Sequence, residues 1–237
     1  MSKGYRLLKN GFDNLDEILR EISKNLNARK EEEIFSLFHF LLQNTGKSLS
    51  GRKLSLDYDS KLTPVTIGKY LDQYVEHFPL YRLEGFDLST MKETRGNFRL
   101  YPYDTSMYSF PFRQVAEHLD LLSMTPVIGK LKEDSFECHS AYIHKQKPTN
   151  GKRTYIEEDV GILAVKNNKR FLIALNMSGT NDKTKLLKNL SGMVDKCIIE
   201  SGDSSPFYDD YGICHVGMEY FLAIPFLERN KMLDFEF

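Results

Sequence analysis

The sequence predicts an α/β (α+β) protein in which a helical amino-terminal module is followed by a small module built on a mixed sheet. Apolar residues recur at intervals of three and four through the first third of the chain, which is the periodicity of amphipathic helices. Farther on, short apolar segments bounded by polar residues indicate strands at 136–143, 155–165, 171–176 and 220–226. A helical pattern at 180–194 lies between the last two. This change of pattern predicts two domains, 1–108 and 109–237.

The composition is that of a globular protein large enough to bury a core. The chain has 237 residues, of which 41% are hydrophobic and 27% are charged, and these proportions are ordinary for folded domains. The formal net charge is -1, so the protein as a whole has no positive field that would attract nucleic acid. Any DNA binding must therefore come from a local basic patch.

The three cysteines, Cys138, Cys197 and Cys214, lie far apart and have no C-x-x-C spacing. This pattern argues against a disulfide framework and against a cysteine-based zinc site, and it fits a reducing cytosol. No apolar run approaches the roughly 20 residues that a membrane helix needs, and the amino terminus lacks the apolar region of a signal peptide. We therefore expect a cytoplasmic protein without a membrane partner.

The first half of the chain has the order of elements that is typical of a winged helix. One helical pattern ends at Gly46, a residue suited to a helix stop, and Thr63-Pro64 is a strong start signal for a later helix. Strands predicted at 80–86 and 97–103 then form a hairpin, which would be the wing. The sequence therefore predicts an amino-terminal winged helix.

The polar residues of this module are compatible with two uses. A DNA-recognition helix needs side chains that reach base edges, flanked by Lys or Arg for the phosphates. Between residues 47 and 69, five Lys or Arg residues against two Asp residues give a net charge of +3. Winged helices also serve as protein-docking modules, in which case such a basic face is simply solvated. If the module binds DNA, the contacts are predicted at Arg52, Lys53, Thr66, Lys69, Gln73, Lys92 and Arg95.

Several segments, taken in order, resemble a known family. They are 41–46 (Leu-Leu-Gln-Asn-Thr-Gly), 66–71 (Thr-Ile-Gly-Lys-Tyr-Leu), 100–105 (Leu-Tyr-Pro-Tyr-Asp-Thr), 158–165, 171–179 and 221–227. Together they resemble the carboxy-terminal half of a widespread family of archaeal and bacterial AAA-type ATPases. In that family a P-loop ATPase is followed by a winged helix and a small domain similar to the PD-(D/E)XK nuclease fold. The resemblance covers nearly the whole chain and implies those last two domains.

The sequence departs from this family at the nucleotide site. Gly46-Lys47-Ser48 resembles the end of a phosphate-binding loop, but the motif needs a glycine five positions earlier, where Leu41 stands. The tripeptide also follows a helical pattern, whereas a phosphate-binding loop follows a strand. We therefore expect neither a nucleotide nor any other cofactor.

The nuclease-like site is also incomplete. The family's metal chemistry needs an Asp, then a Glu and a Lys two positions apart on the next strand. Asp159 matches the Asp, but the segment 171–177 (Phe-Leu-Ile-Ala-Leu-Asn-Met) contains no acid and no lysine. The resemblance thus implies a degenerate domain with no catalytic residues and a residual metal ligand at Asp159. The competing interpretation is that Asp159 belongs, with Glu157 and Glu158, to a solvated strand entry.

Cys138, His139 and His144 offer a second group of metal-ligating or nucleophilic residue types. Because Cys138 and His139 are adjacent on a predicted strand, their side chains point to opposite faces and cannot ligate one ion. We interpret all three as structural residues.

These observations favour a non-catalytic binding protein that acts through a protein partner or duplex DNA. A separately encoded ATPase is the partner that the resemblance suggests. One alternative is a sequence-dependent DNA-binding regulator. The other is a Mg-dependent nuclease with a rearranged active site, in which Glu117 or Glu137 supplies the missing acid.

Overall fold

The structure is a computed structural model that describes residues 15–26, 31–58, 62–77, 80–107, 118–149, 152–179, 183–190 and 194–223. The protein is mixed α/β, as the sequence predicts. Its described parts fall into two compact units, one within Met1–Arg82 and Gly96–Ser109 and the other within Leu83–Arg95 and Phe110–Phe237. The tip of the predicted hairpin, 83–95, is thus part of the second unit.

The first unit is mainly helical. Its helices are α1 (Leu15–Asn25), α2 (Glu31–Gln43), α3 (Gly51–Asp57), α4 (Pro64–His77) and a short 3-10 helix (Thr105–Met107). The hairpin strands are β1 (Leu80–Asp87) and β2 (Lys92–Pro102), and each of them contributes residues to both units. This order matches the predicted order of elements, while the winged-helix assignment itself stays a prediction.

Buried contacts between α2 and α4 fix the position of α4. Tyr74 of α4 is fully buried, its ring centroid lies 5.5 Å from that of Phe38, and its hydroxyl donates a hydrogen bond to the Ile34 carbonyl oxygen at 2.6 Å. At the start of α4, the backbone N–H of Thr66 donates to Thr63 Oγ1 at 3.2 Å, which is the predicted helix cap. The orientation of α4 is therefore set by both its cap and its core contacts.

The turn after α2 is tied to β2. Gly46 has a φ of 73°, a left-handed conformation that favours glycine, and its N–H donates to the Leu100 carbonyl oxygen at 3.0 Å. Leu49 and Phe98 exchange a pair of backbone hydrogen bonds of 2.8 and 2.9 Å. Gly46 is therefore the predicted helix stop and also the start of a connection to the hairpin.

The second unit is built on the sheet. Its elements are α5 (Leu119–Glu133), β3 (Glu137–Thr149), β4 (Lys152–Lys166), β5 (Lys169–Asn176), α6 (Lys183–Lys188), β6 (Asp195–Glu200), β7 (Phe207–Tyr208), β8 (Cys214–Gly217) and α7 (Met218–Ala223). The strand order is β2-β1-β3-β4-β5-β6-β8-β7. Strands β3, β4 and β5 are antiparallel, and β7 is antiparallel to β8, whereas the β1–β3, β5–β6 and β6–β8 pairs are parallel. The sheet is therefore mixed, as predicted.

Apolar side chains of the central strands form the core of the second unit. Leu163 of β4, Leu172 of β5, Ile198 of β6 and Leu187 of α6 are all buried in one cluster. Helix α5 packs against β3 and β5, and α6 packs against β4, β5 and β6. Among the helices that the structure describes, none is both long enough and apolar enough to cross a membrane.

The predicted strand at 220–226 is wrong where the structure describes it, because 218–223 is helix α7. A short apolar run such as Phe221-Leu-Ala does not distinguish a strand from a buried helical turn by its own pattern. The helical pattern at 180–194 is observed as the shorter α6 within the described residues. The sequence predicts no strand at β6 or β8, because each is only a brief apolar run and its pairing depends on the rest of the sheet.

Candidate functional site

Helix α4 presents one buried face and one exposed stripe. Four apolar or aromatic side chains face the core: Ile67, Tyr70, Leu71 and Tyr74. The residues at 65, 69, 72 and 76 are exposed, and this spacing places them along one side of a helix. The first half of the stripe carries Val65 and Lys69, and the second half carries Asp72 and Glu76. The exposed side of α4 is therefore mixed in charge.

Two of the predicted base-reading side chains are already engaged within α4. The hydroxyl of Thr66 lies 3.0 Å from that of Thr63, and the amide of Gln73 donates to the Glu76 carboxylate at 3.1 Å. Lys69 is exposed, and no partner of its ammonium group is found among the described residues. Of the three predicted α4 contacts, Lys69 is the charged residue, and it is exposed.

The starts of α3 and α4 lie next to each other. A Cβ atom on Gly51 would lie 3.7 Å from the Pro64 carbonyl oxygen and 3.9 Å from Pro64 Cβ. The ammonium of Lys53 donates to the Ser48 carbonyl oxygen at 3.1 Å. Arg52 is exposed, and its guanidinium forms no hydrogen bond or ion pair with the described residues. Arg52 is therefore the available cation of α3.

Two large aliphatic side chains of these helices are exposed to solvent. Leu56 of α3 is 74% exposed and Val65 of α4 is 71% exposed. Neither exposure is evident from the sequence, because helical periodicity identifies the buried face and says little about which apolar residues outside it are uncovered. We use the term α3–α4 surface for these two side chains and the exposed cations Arg52 and Lys69 of the same two helices.

The remaining predicted DNA contacts lie in the other unit. Lys92 and Arg95 are exposed residues of β2, within the hairpin tip that groups with the second unit. Arg52, Lys53, Thr66, Lys69 and Gln73 all lie in the first unit. The structure therefore groups five of the seven predicted contacts in one unit.

Asp159, the predicted residual metal ligand, lies on β4 opposite Tyr142 of β3. No described group of three or more potential His, Cys, Asp or Glu ligands includes it. The acid proposed at Glu137 pairs with Val165, five residues along β3 from Tyr142, which corresponds to about 16 Å of strand. The other proposed acid, Glu117, lies outside the described residues. Cleavage at Asp159 with help from Glu137 is therefore not supported by the strand register.

The structure brings together a different set of potential ligands, at Glu93, Glu137 and His139. His139 Nε2 lies 3.5 Å from Glu137 Oε1 and 3.8 Å from Glu93 Oε1. From its sequence context, His139 is expected to be a structural residue. The one available signal was the Glu-x-His spacing, which places both side chains on the same face of a strand. The contribution of Glu93 depends on the hairpin tip and could not be found from spacing.

Cys138 does not belong to this set. Its neighbour His139 faces the carboxylates, so the thiol lies on the opposite face of β3, where it is buried. Burial raises the pKa of Cys138 to about 11 and keeps the thiol protonated at neutral pH. Cys138 and His139 thus lie on opposite faces of β3, as predicted from their adjacent positions on a strand.

A second histidine is held between two carboxylates near the end of the sheet. His215 Nδ1 lies 3.3 Å from Glu200 Oε1, and Nε2 lies 3.3 Å from Asp209 Oδ2. Burial raises the pKa of Asp209, but hydrogen bonds from the N–H groups of Ile213 and Tyr211 and from His215 lower it more, so the pKa lies below its ordinary value. Asp209 precedes β8, whereas Glu200 and His215 belong to β6 and β8. The two contacts of His215 therefore connect the segment before β8 to the sheet.

The comparisons with known proteins leave the function open. No protein-family model and no curated protein matches the chain. Among solved structures, the chain is similar to the crystal structure of protein VC1899 from Vibrio cholerae, at 13% sequence identity and a TM-score of 0.32, over 92% of this chain and 56% of that chain. A likeness at this level carries no argument about function.

Proposed function

We propose that this chain is a non-catalytic binding protein that docks onto a partner protein through the α3–α4 surface. The observation that carries the proposal is the exposure of Leu56 and Val65, at 74% and 71%. Burial of such a side chain in an interface is worth about 1.5–3 kcal/mol. A separately encoded AAA-type ATPase is the partner that the sequence resemblance suggests.

The charges of α4 favour a protein over a nucleic acid. Beyond Lys69, the exposed stripe continues with Asp72 and Glu76. Asp72 forms an ion pair with Arg82 at 3.5 Å, yet its side chain remains 73% exposed. Two carboxylates on the presented side of a helix would repel the phosphates of a duplex, whereas a protein surface can offer both signs of charge.

The same surface indicates the chemistry of the partner. Arg52 and Lys69 are exposed cations without a described partner, and they accompany the two aliphatic side chains. We expect the partner's contact surface to pair an apolar patch with acidic side chains. Charged groups at the rim of an interface mainly set association rate and specificity, while the apolar contacts supply affinity.

Affinity purification tests the proposal with three forms of the chain: the parent, the Leu56→Glu/Val65→Glu double variant, and a Lys24→Glu control on the exposed side of α1. The substituted positions are all exposed, so none of the changes alters the core. We expect an ATPase to be recovered with the parent and the control and lost with the double variant. The recovered ATPase is then purified and its binding to each form is measured by calorimetry. Recovery of no ATPase, or equal binding by the double variant, would overturn the proposal.

The second candidate is a DNA-binding regulator, which the two cations Arg52 and Lys69 favour because the starts of α3 and α4 are adjacent. Duplex binding should then weaken with increasing salt. Changing both Arg52 and Lys69 to Ala should weaken binding at low salt and make it less dependent on salt. Lys24→Ala is the matched control, since it removes one exposed cation from the same unit. Fluorescence anisotropy at low salt measures the binding. Absence of duplex binding at low salt would eliminate this candidate.

A further inference from the structure

The carboxylates of Glu93 and Glu137 and the imidazole of His139 converge within the second unit. Their three ligand atoms all lie within 4.8 Å of one another. The distances from His139 Nε2 to the two carboxylate oxygens are 3.5 and 3.8 Å, which exceed the roughly 2.7–3.2 Å of an N–H···O hydrogen bond. In a tetrahedral site with bonds of about 2.0–2.1 Å, neighbouring ligand atoms lie about 3.3–3.4 Å apart. The 3.5 Å separation is close to this value, whereas the 3.8 Å separation would have to shorten for both oxygens and Nε2 to ligate one cation.

The burial of His139 is an independent indication. Its side chain is only 7% exposed, and Nε2 faces the two carboxylates. Its other ring nitrogen, Nδ1, is buried and has no hydrogen-bond partner among the described residues, and the Phe86 ring centroid lies 5.9 Å from the imidazole centroid. Buried polar groups are normally hydrogen-bonded, and the polar contacts that the structure describes for this ring are those of Nε2 with the two carboxylates. Ligation of a metal by Nε2 would give the buried ring a strong polar interaction.

We propose that Glu93, Glu137 and His139 form a binding site for one divalent transition-metal cation, for which Zn²⁺ is the best fit. One imidazole nitrogen and two carboxylate oxygens are a ligand set that Zn²⁺ accepts, whereas Mg²⁺ prefers oxygen ligands throughout. The two carboxylates carry two negative charges, which a divalent cation neutralises. The site needs no thiol, so it is independent of the cysteine spacing considered above.

The site is open on its solvent side. The side chains of Glu93 and Glu137 are 61% and 70% exposed, while His139 forms the buried wall. Three protein ligands leave a fourth tetrahedral position for water or an exchangeable group. The cation would also join β2 to β3, two strands that β1 separates in the sheet order. Metal binding would therefore hold the hairpin tip, 83–95, against the sheet of the second unit.

Zinc titration of the full chain, after treatment with EDTA, tests the site by competition with a chromophoric chelator. The variants are Glu93→Gln, Glu137→Gln and His139→Gln, and Glu133→Gln, an exposed glutamate of α5, is the matched control. The parent and the control should bind one Zn²⁺ per chain. Each ligand variant should weaken binding by at least about tenfold, because even the loss of a residue that only supports a metal ligand costs about 10–100-fold in affinity. Mg²⁺ at the same concentration should not compete.

Hydrogen exchange supplies a second readout. Zn²⁺ should slow amide exchange in peptides that cover 92–95 in the parent and in Glu133→Gln, but not in Glu93→Gln or Glu137→Gln. Because Glu93 and Glu137 are exposed, these two variants should fold, and they keep the test valid even if His139→Gln does not fold. Three results would overturn the proposal. They are the absence of stoichiometric Zn²⁺ binding by the parent, Zn²⁺ affinity of Glu93→Gln and Glu137→Gln equal to that of the parent, and competition by Mg²⁺ at the same concentration.

Discussion

The substitution Gly161→Ala tests the packing of β4 against β5. Gly161 has a φ of 149°, in a region of backbone space that side chains other than glycine rarely occupy. An added Cβ would overlap the carbonyl oxygen of Ile173 on β5 and would lie 3.0 Å from its carbonyl carbon and 3.1 Å from the Cα of Ala174. All of these are backbone atoms, so no side-chain rotation can relieve the overlap. The two strands would have to separate.

The expected cost follows from these two causes. A non-glycine residue in such a backbone conformation costs about 1–3 kcal/mol, and overpacking costs a further amount of about 1–3 kcal/mol. We therefore expect a loss of about 4 kcal/mol in the free energy of unfolding of the second unit. Typical domains have a total of about 5–15 kcal/mol, so much of the unit's stability would be lost.

Urea denaturation followed by circular dichroism measures this loss, and hydrogen exchange of peptides from β4 and β5 assigns it to the second unit. The matched control is Gly68→Ala in α4, where a new Cβ would meet no atom within 4 Å. In a helix this change should stabilise the first unit by about 0.4–1 kcal/mol. If Gly161→Ala shifted the free energy of unfolding by less than about 1 kcal/mol, the reasoning from backbone overlap would be refuted.

Three further predictions concern polar groups that are buried or partly buried. Tyr74→Phe removes the hydrogen bond to the Ile34 carbonyl oxygen and should cost about 1 kcal/mol by urea denaturation; no loss would show that this bond does not stabilise the first unit. Because the folded-state pKa of Asp209 is lowered, its stabilising contribution is present above its ordinary pKa of about 3.9 and is lost as the pH falls through the lower folded value. Asp209→Asn should therefore lose less stability between pH 7 and pH 3 than the parent, and an equal loss would contradict a stabilising role for the hydrogen bonds that Asp209 makes with Ile213, Tyr211 and His215. At pH 8 about one in a thousand Cys138 thiols is ionised, so iodoacetamide should modify Cys138 only after unfolding in urea, as mass spectrometry would show.

Local sequence patterns were sufficient where the structure depends on near neighbours. The cap at Thr63, the stop at Gly46 and the strands β3, β4 and β5 follow from capping chemistry and from apolar periodicity, which act over a few residues. The strand predicted at 220–226 failed for the converse reason. A short apolar run is compatible with both states, and strand β8 ends at Gly217, immediately before helix α7.

The candidate sites also combine features that the sequence determines with features that depend on the tertiary structure. The sequence by itself determined the residue types on α4, the absence of a Glu and Lys pair after Asp159, and the near-neutral charge that confines any DNA contact to a local patch. Only the tertiary structure decided that Leu56 and Val65 are uncovered and that Glu93 lies beside His139. That second contact joins residues 46 positions apart, and it exists because β1 pairs in parallel with β3 and brings the hairpin tip to the edge of the sheet. Strand order is a property of the whole chain, since it depends on which surfaces are buried together, and no short-range pattern encodes it.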